Sequence, residues 1–299
     1  NRLDCRRAAS AALVAATSDL DVDKVVEGLA ERNSEAGLID GVLSLTLPDP
    51  THQDEVIDLA LTEMRTQLPG AEFQVLEATA PDYLHALADM RKQIEQGQAR
   101  FDLPAMAEFP GAQVCGICAL GIAVGTAHLG PGDGKKQACA DCAMRHSQEQ
   151  RDLSRIPEQR LARAVGSERV GGFDELSTID SQDPHLATIY ADANKLGRFF
   201  SDINEKLDAK KIAEVSGAVV DATFEALVGA AQAVRPGRPS QLWVLPHIVG
   251  GDDVLVTTPA RSGWKFAMQF IEHFHRGLAT MAQNLQLKDV SLPTVSAGI

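Results

Sequence analysis

The stretch Gln241–Ala260, QLWVLPHIVGGDDVLVTTPA, constrains this chain more than any other. Two apolar runs, Leu242–Val249 and Val254–Val256, flank Gly250-Gly251-Asp252-Asp253. Apolar runs on either side of a tight, glycine-bearing connection predict a β-hairpin, because glycine takes dihedral angles that a Cβ forbids. The hairpin sets two carboxylates side by side at its tip, where their repulsion is costly unless a cation neutralises it. Read alone, the tip is either a plain hydrophilic turn or a Mg²⁺ site for phosphate chemistry.

A second segment, Ala187–Phe200 (ATIYADANKLGRFF), bears on that choice. Ala187–Ala191 is strand-like and ends directly on Asp192. After Asp192-Ala193-Asn194 the spacing turns helical, with Leu196, Phe199, Phe200, Ile203 and Leu207 on one face. A carboxylate where a strand gives way to a helix is a common ligand-holding position in α/β folds, or else a helix cap. If this strand and the hairpin are neighbours, three carboxylates converge. Two-metal phosphoryl and nucleotidyl transfer needs such acids, to hold divalent ions roughly 3.5–4 Å apart. The residues alone do not distinguish adenine from guanine.

Around these segments the pattern predicts a long helix over Ala209–Val234, ended by Arg235-Pro-Gly-Arg-Pro239. A second helix follows over Gly263–Leu285, then a strand over Thr294–Ile299. The order β-α-α-β-β-α-β is that of a ferredoxin-like palm, which makes the fold class α/β (α+β). Pro246 within a strand points to an edge or a bulge.

Four of the five cysteines form Cys115-Gly-Ile-Cys118 and Cys139-Ala-Asp-Cys142. Two such knuckles complete a tetrahedral Zn²⁺ shell, and an all-cysteine site without an open position is structural. Two disulfides, a redox pair or an iron–sulfur cluster are the other uses of this spacing. His128 and His146 are spare ligands, and Cys5 has no partner in sequence. The glycine-rich loop Ala119–Gln137 needs the metal to order itself. A reduced thiol cluster implies the cytoplasm.

Upstream, a helix over Ala9–Arg32 broken near Ser18–Asp21 precedes a strand at Gly41–Leu47. Helix Gln53–Gln67, strand Glu72–Leu76 and helix Tyr83–Gln96 complete a βαβα run. At 299 residues the chain holds two or three domains. The expected division is 1–107, an α/β segment; 108–150, the zinc-binding module; 151–184, a linker; and 185–299, the palm. No apolar stretch approaches the roughly 20 residues that cross a bilayer, so no membrane partner is expected. A net charge of −13 argues against wrapping nucleic acid over the whole surface. Arg145, Arg151, Arg155, Arg160, Arg163 and Arg169 alternate with Glu149, Asp152, Glu158 and Glu168 and read as a solvated helix face. The chain starts on Asn1 rather than Met and stops inside a predicted strand, so a fragment of a longer protein is expected.

With CxxC…CxxC, YADANKLG, VGGDDVLVTTP and TVSAGI in this order, the chain resembles the large polymerase-like subunit of type III CRISPR effector complexes. The resemblance runs from Cys115 to Ile299, and from Gly41 if the first βαβα run is that family's inactive first palm. It implies a nucleotidyltransferase that turns ATP into cyclic oligoadenylates with Mg²⁺ or Mn²⁺. The partners it implies are the other subunits of the complex, with guide and target RNA. It further implies that Asp192 and Asp252 hold the metals, and that Asp253 completes the site or acts on the attacking hydroxyl. The carbonyl of Ala193 is a further ligand, and Gly250 and Gly251 let backbone approach the phosphates. Where many members carry a second Asp, this chain has Asn194. No His-Asp pair marks the nuclease domain that often precedes the palms, so no DNA cleavage is expected. The rivals are a diguanylate cyclase, whose hairpin would read GGDEF or GGEEF where Val254 stands here, and a non-catalytic scaffold.

Overall fold

The computed structural model describes residues 3–36, 41–103, 111–129, 134–147, 152–179, 184–204, 206–237 and 240–299. The expected boundaries at 107/108 and 150/151 lie outside the described residues, as do Gly130–Gly132, Glu149, Arg151, Arg238 and Pro239. The protein is mixed α/β and divides into two compact units, Asn1–Leu153 and Ser154–Ile299.

In the first unit, helix Leu3–Ala16 packs on helices Gln53–Gln67 and Ala140–Arg145. The predicted helix beyond the break at Ser18–Asp21 is a single turn, Val22–Val25, capped by Asp21. Glu27 and Gly28 take φ of 53° and 75°, which no right-handed helix accommodates, and the chain reverses into strand Glu31–Arg32. That two-residue strand is the partner of Leu45–Thr46, so the strand expected over Gly41–Leu47 shrinks to match it. Phe73–Val75 pairs instead with Arg100–Asp102. Arg65 of helix Gln53–Gln67 binds Asp102 and the Ala71 carbonyl, and its guanidinium lies 4.6 Å from the centre of the Phe73 ring. One side chain thus fastens that helix to the strand pair.

The second unit begins with α1 (Pro157–Val165), opened by Pro157 at its first turn and closed by left-handed Gly166. Arg155, Arg160 and Arg163 are exposed, but Glu158 is buried, so the solvated-face reading fails at that position. Then follow α2 (Phe173–Thr178), β1 (Leu186–Asn194), α3 (Leu196–Asn204) and α4 (Ala209–Ala233). The hairpin is β2 (Leu245–Gly250) and β3 (Asp253–Pro259), followed by α5 (Ala260–Asn284) and β4 (Thr294–Gly298).

The four strands form one antiparallel sheet in the order β4-β1-β3-β2. Strand side chains alternate between faces. Ile189, Ala191, Ala193, Val254, Val256 and Val295 enter a core with Val215, Val219 and Leu227 of α4 and Phe266, Phe270, Phe274 and Leu278 of α5. Their strand neighbours Thr188, Tyr190, Asp192, Asp253 and Ser296 point the other way. Pro246 lies on the edge strand β2, and the register shifts between Pro246 and Ile248, so both the edge and the bulge occur.

Candidate functional site

Register brings the predicted acids together. Gly250 pairs with Asp253, which leaves Gly251-Asp252 as a two-residue hairpin loop. Gly251 has φ +59° at the first central position, the conformation a type II′ turn asks of glycine. On the neighbouring strand, Ala191 pairs with Val254, so Asp192 stands beside Asp253 one step along. Asp192 lies inside β1 rather than at its end, because Ala193 and Asn194 continue the ladder against Val295 and Thr294 of β4. One carboxylate oxygen from each of Asp192, Asp252 and Asp253 lies within 4.8 Å of the other two.

Electrostatics follow from that crowding. Burial raises the pKa of Asp252, and the charges of Asp253 and Asp192 add to it, opposed by the N–H groups of Asp252 and Ala193. Asp192 is raised by desolvation and by its contact with Asp253. Such crowding is relieved by a bound cation, and three hard oxygen donors suit Mg²⁺ or Mn²⁺.

Two residues that sequence reasoning passed over hold the turn. Tyr190 Oη donates to Asp253 Oδ1 at 2.7 Å, and the carboxylate pushes the phenol pKa up to about 12. The hydroxyl of Thr223, fully buried in α4, lies 2.8 Å from the carbonyl oxygen of Gly251 and 2.9 Å from that of Val219, and shares its one proton between them. Thr223 carried a sequence signal: it is a hydroxyl on the apolar face of a helix, and a buried hydroxyl needs an acceptor. Asn194 is placed beside the acids rather than among them. Its amide donates to Ser296 Oγ at 2.9 Å and Thr294 Oγ1 at 3.2 Å. Gly250 is exposed, with open space where a Cβ would stand.

The cysteines form a second cluster, in the first unit. One sulfur from each of Cys115, Cys118, Cys139 and Cys142 lies within 4.8 Å of the others, and none is in a disulfide. Cys118 Sγ and Cys139 Sγ are 3.8 Å apart. Four thiolates at Zn–S of about 2.3 Å around a tetrahedral ion sit at about that separation, so the set fits zinc. Burial opposes the thiolate of Cys115, but N–H groups of Cys118, Cys139 and Ile117 bring its pKa down to about 6. Burial raises Cys139 and Cys142. Hairpin Gly125–His128/Lys135–Ala138 carries the loop between the knuckles, and Cys139 caps the following helix, accepting from Cys142 N. His128 and His146 are outside the cluster among the described residues. His146 Nε2 lies 3.3 Å from Cys5 Sγ, so the thiol that had no partner in sequence has one in space.

No family model matches this chain, and no curated protein matches it. Solved structures do. A Csm1-Csm4 cassette in complex with cA4 matches with 20% identity and a TM-score of 0.31, over 43% of this chain and 18% of that one. The same cassette with AMPPNP matches at 19% identity and TM-score 0.31. Csm1 from T. onnurineus matches at 15% identity and TM-score 0.45, over 97% of this chain and 43% of that one. The chain therefore spans less than half the length of these neighbours. They are Csm1, of the type III CRISPR Csm1-Csm4 cassette, which is the resemblance its motifs carry. Among the described residues no helix is long and apolar enough to cross a membrane.

Proposed function

We propose that residues 185–299 are a ferredoxin-like palm that joins ATP into cyclic oligoadenylates, working in the cytoplasm. The protein would act within a type III CRISPR RNA-guided antiviral complex, beside its other subunits and its guide and target RNA. Residues 1–107 would be an inactive first palm, 108–150 a zinc-binding module and 151–184 a linker. The observation that carries the catalytic part is the convergence of three carboxylate oxygens from two distant segments within 4.8 Å. The choice of ATP and of a cyclic product rests on the motif resemblance.

In this reading Asp192 and Asp252 hold Mg²⁺ or Mn²⁺, and Asp253 completes the set. Bound divalent cations supply a lowered hydroxyl pKa, charge screening at the α-phosphate and an electrostatic partner for departing pyrophosphate. The chain's own residues fix where this happens. Thr223 and the Gly250–Asp253 pairing hold the turn, Tyr190 orients Asp253, and Asn194 ties β1 to β4 beside the acids. Without a side chain, Gly250 and Gly251 let backbone N–H groups approach phosphate oxygens. The cysteine quartet would hold structural Zn²⁺ and order its own loops.

The test is incubation of the assembled complex with each NTP and Mg²⁺ or Mn²⁺, with products read by mass spectrometry. Oligomers of AMP that vanish in Asp192→Ala and Asp252→Ala are the expected result. Products unchanged in both variants would make the unit a scaffold, and guanylate products would make it a diguanylate cyclase relative.

A further inference from the structure

One cross-strand row away from the acids, the open face of the sheet changes character. Gly298 pairs with Tyr190, Tyr190 with Leu255, and Leu255 with Ile248, so these four residues form one line across all four strands. Directly opposed residues share a face, and the alternation puts this line on the face that α4 and α5 leave uncovered. Tyr190 is 48% exposed and Ile248 49%. Gly298 contributes no side chain, and a Cβ there would meet nothing within 4 Å.

From this geometry we infer that the Tyr190–Leu255–Ile248 row is a shelf for the base of the nucleotide whose phosphates meet the acid centre. The inference rests on the reading of that centre given above. Two residues along a strand span about 7 Å, which places an aromatic and aliphatic surface one sugar-length step from the acids. An apolar row at that spot needs a planar, weakly hydrated occupant, and a base tethered to bound phosphate is the one that the chemistry supplies. The Tyr190 ring is already immobilised by its bond to Asp253, so stacking costs little side-chain entropy. The same hydrogen bond joins the shelf to the acids, and a base resting on the ring would report on the carboxylate beneath it. Stacking is tolerant of base identity, so the shelf strengthens ATP and GTP alike and leaves selection to polar groups.

The experiment compares ATP, GTP and inorganic tripolyphosphate binding to the full chain in excess Mn²⁺, by calorimetry. Relative to Tyr190→Phe, which also lacks the bond to Asp253 but keeps the ring, Tyr190→Ala is expected to weaken ATP and GTP about ten-fold and to bind tripolyphosphate within about two-fold. Tyr190→Phe separates the two roles, because any loss it shares between nucleotide and tripolyphosphate reports the bond to Asp253 and not the ring. Ile248→Ala, further along the row, weakens nucleotides by a smaller factor without touching tripolyphosphate. Equal loss of nucleotide and tripolyphosphate in Tyr190→Ala relative to Tyr190→Phe, or loss of neither, overturns the shelf while the acid centre stands. Wild-type protein that binds no tripolyphosphate overturns the acid centre, and the shelf with it.

Discussion

The cysteine cluster and the carboxylate cluster each bring metal-binding atoms within 4.8 Å of one another, yet they are built in opposite ways. Cys115, Cys118, Cys139 and Cys142 come from two short knuckles joined by one local hairpin, and three of the four are buried. Asp192 and the pair Asp252-Asp253 come from strands separated by two helices, and meet only because β1 and β3 are neighbours. Asp192 is exposed and the other two are half-buried. A closed sulfur shell leaves no room for substrate, whereas an open oxygen cluster on a sheet does. In the proposed reading, zinc at one centre would stabilise its surroundings, whereas the other burdens them with repulsion that a cation would relieve.

That contrast breaks first at the cysteines. Cys139→Ser should release zinc and unfold the knuckles, because structural zinc binding is folding free energy, about 10–16 kcal/mol in isolated fingers. Zinc content and protease cleavage within 111–147 measure it. A variant that resists protease as well as wild type would remove the structural role.

Next comes Asp252→Ala, expected to cut product formation by about 10³-fold or more while the fold persists. Turnover and melting temperature are read on the same sample. A comparable loss of melting temperature would mean that the acid is structural, and the two centres would then be alike.

Thr223→Val should be milder. The isosteric change strands the Gly251 carbonyl and costs about 1–3 kcal/mol of stability, and it loosens the turn enough to lower turnover about ten-fold. Turnover unaffected by the substitution would show that β2–β3 pairing alone fixes Asp252 and Asp253.

These residues also mark where the sequence was legible. Helix Gln53–Gln67 is predicted to the residue, and helix Ala209–Val234 to within one, because periodicity and the closing Arg235-Pro-Gly-Arg-Pro239 are local signals. The acids were legible as a set because each sits on a strand or turn with its own signature. Their convergence was legible only on the condition that β1 and β3 are neighbours, which the β-α-α-β-β-α-β order predicts and the pairing of the two strands meets. Tyr190 reads as one more strand aromatic until register sets it diagonal to Asp253. The reversal at Glu27-Gly28 is not legible, because a left-handed glutamate leaves no mark in composition or period. Cys5 and His146 are 141 positions apart, beyond any spacing rule.

The smallest effect concerns the repulsion itself. Asp192 and Asp252 have pKa values raised above the usual 3.8, so the folded chain binds those protons more tightly than the unfolded one. Stability without metal therefore falls as pH rises through 3.8 and on through the raised folded values, and it returns as pH falls. Asp253→Asn removes one source of the repulsion at both acids, and its amide oxygen still accepts from Tyr190. Metal-free Asp253→Asn should melt about 1–2 °C above wild type at neutral pH, with the gap closing as the pH is lowered towards the carboxylate range. Saturating Mg²⁺ should reverse the order, because wild type gains the larger share of binding energy. A variant that melts below wild type in the absence of metal at neutral pH would show that the carboxylates brace the hairpin. The acid centre would then resemble the cysteine one, as a device for holding chain together.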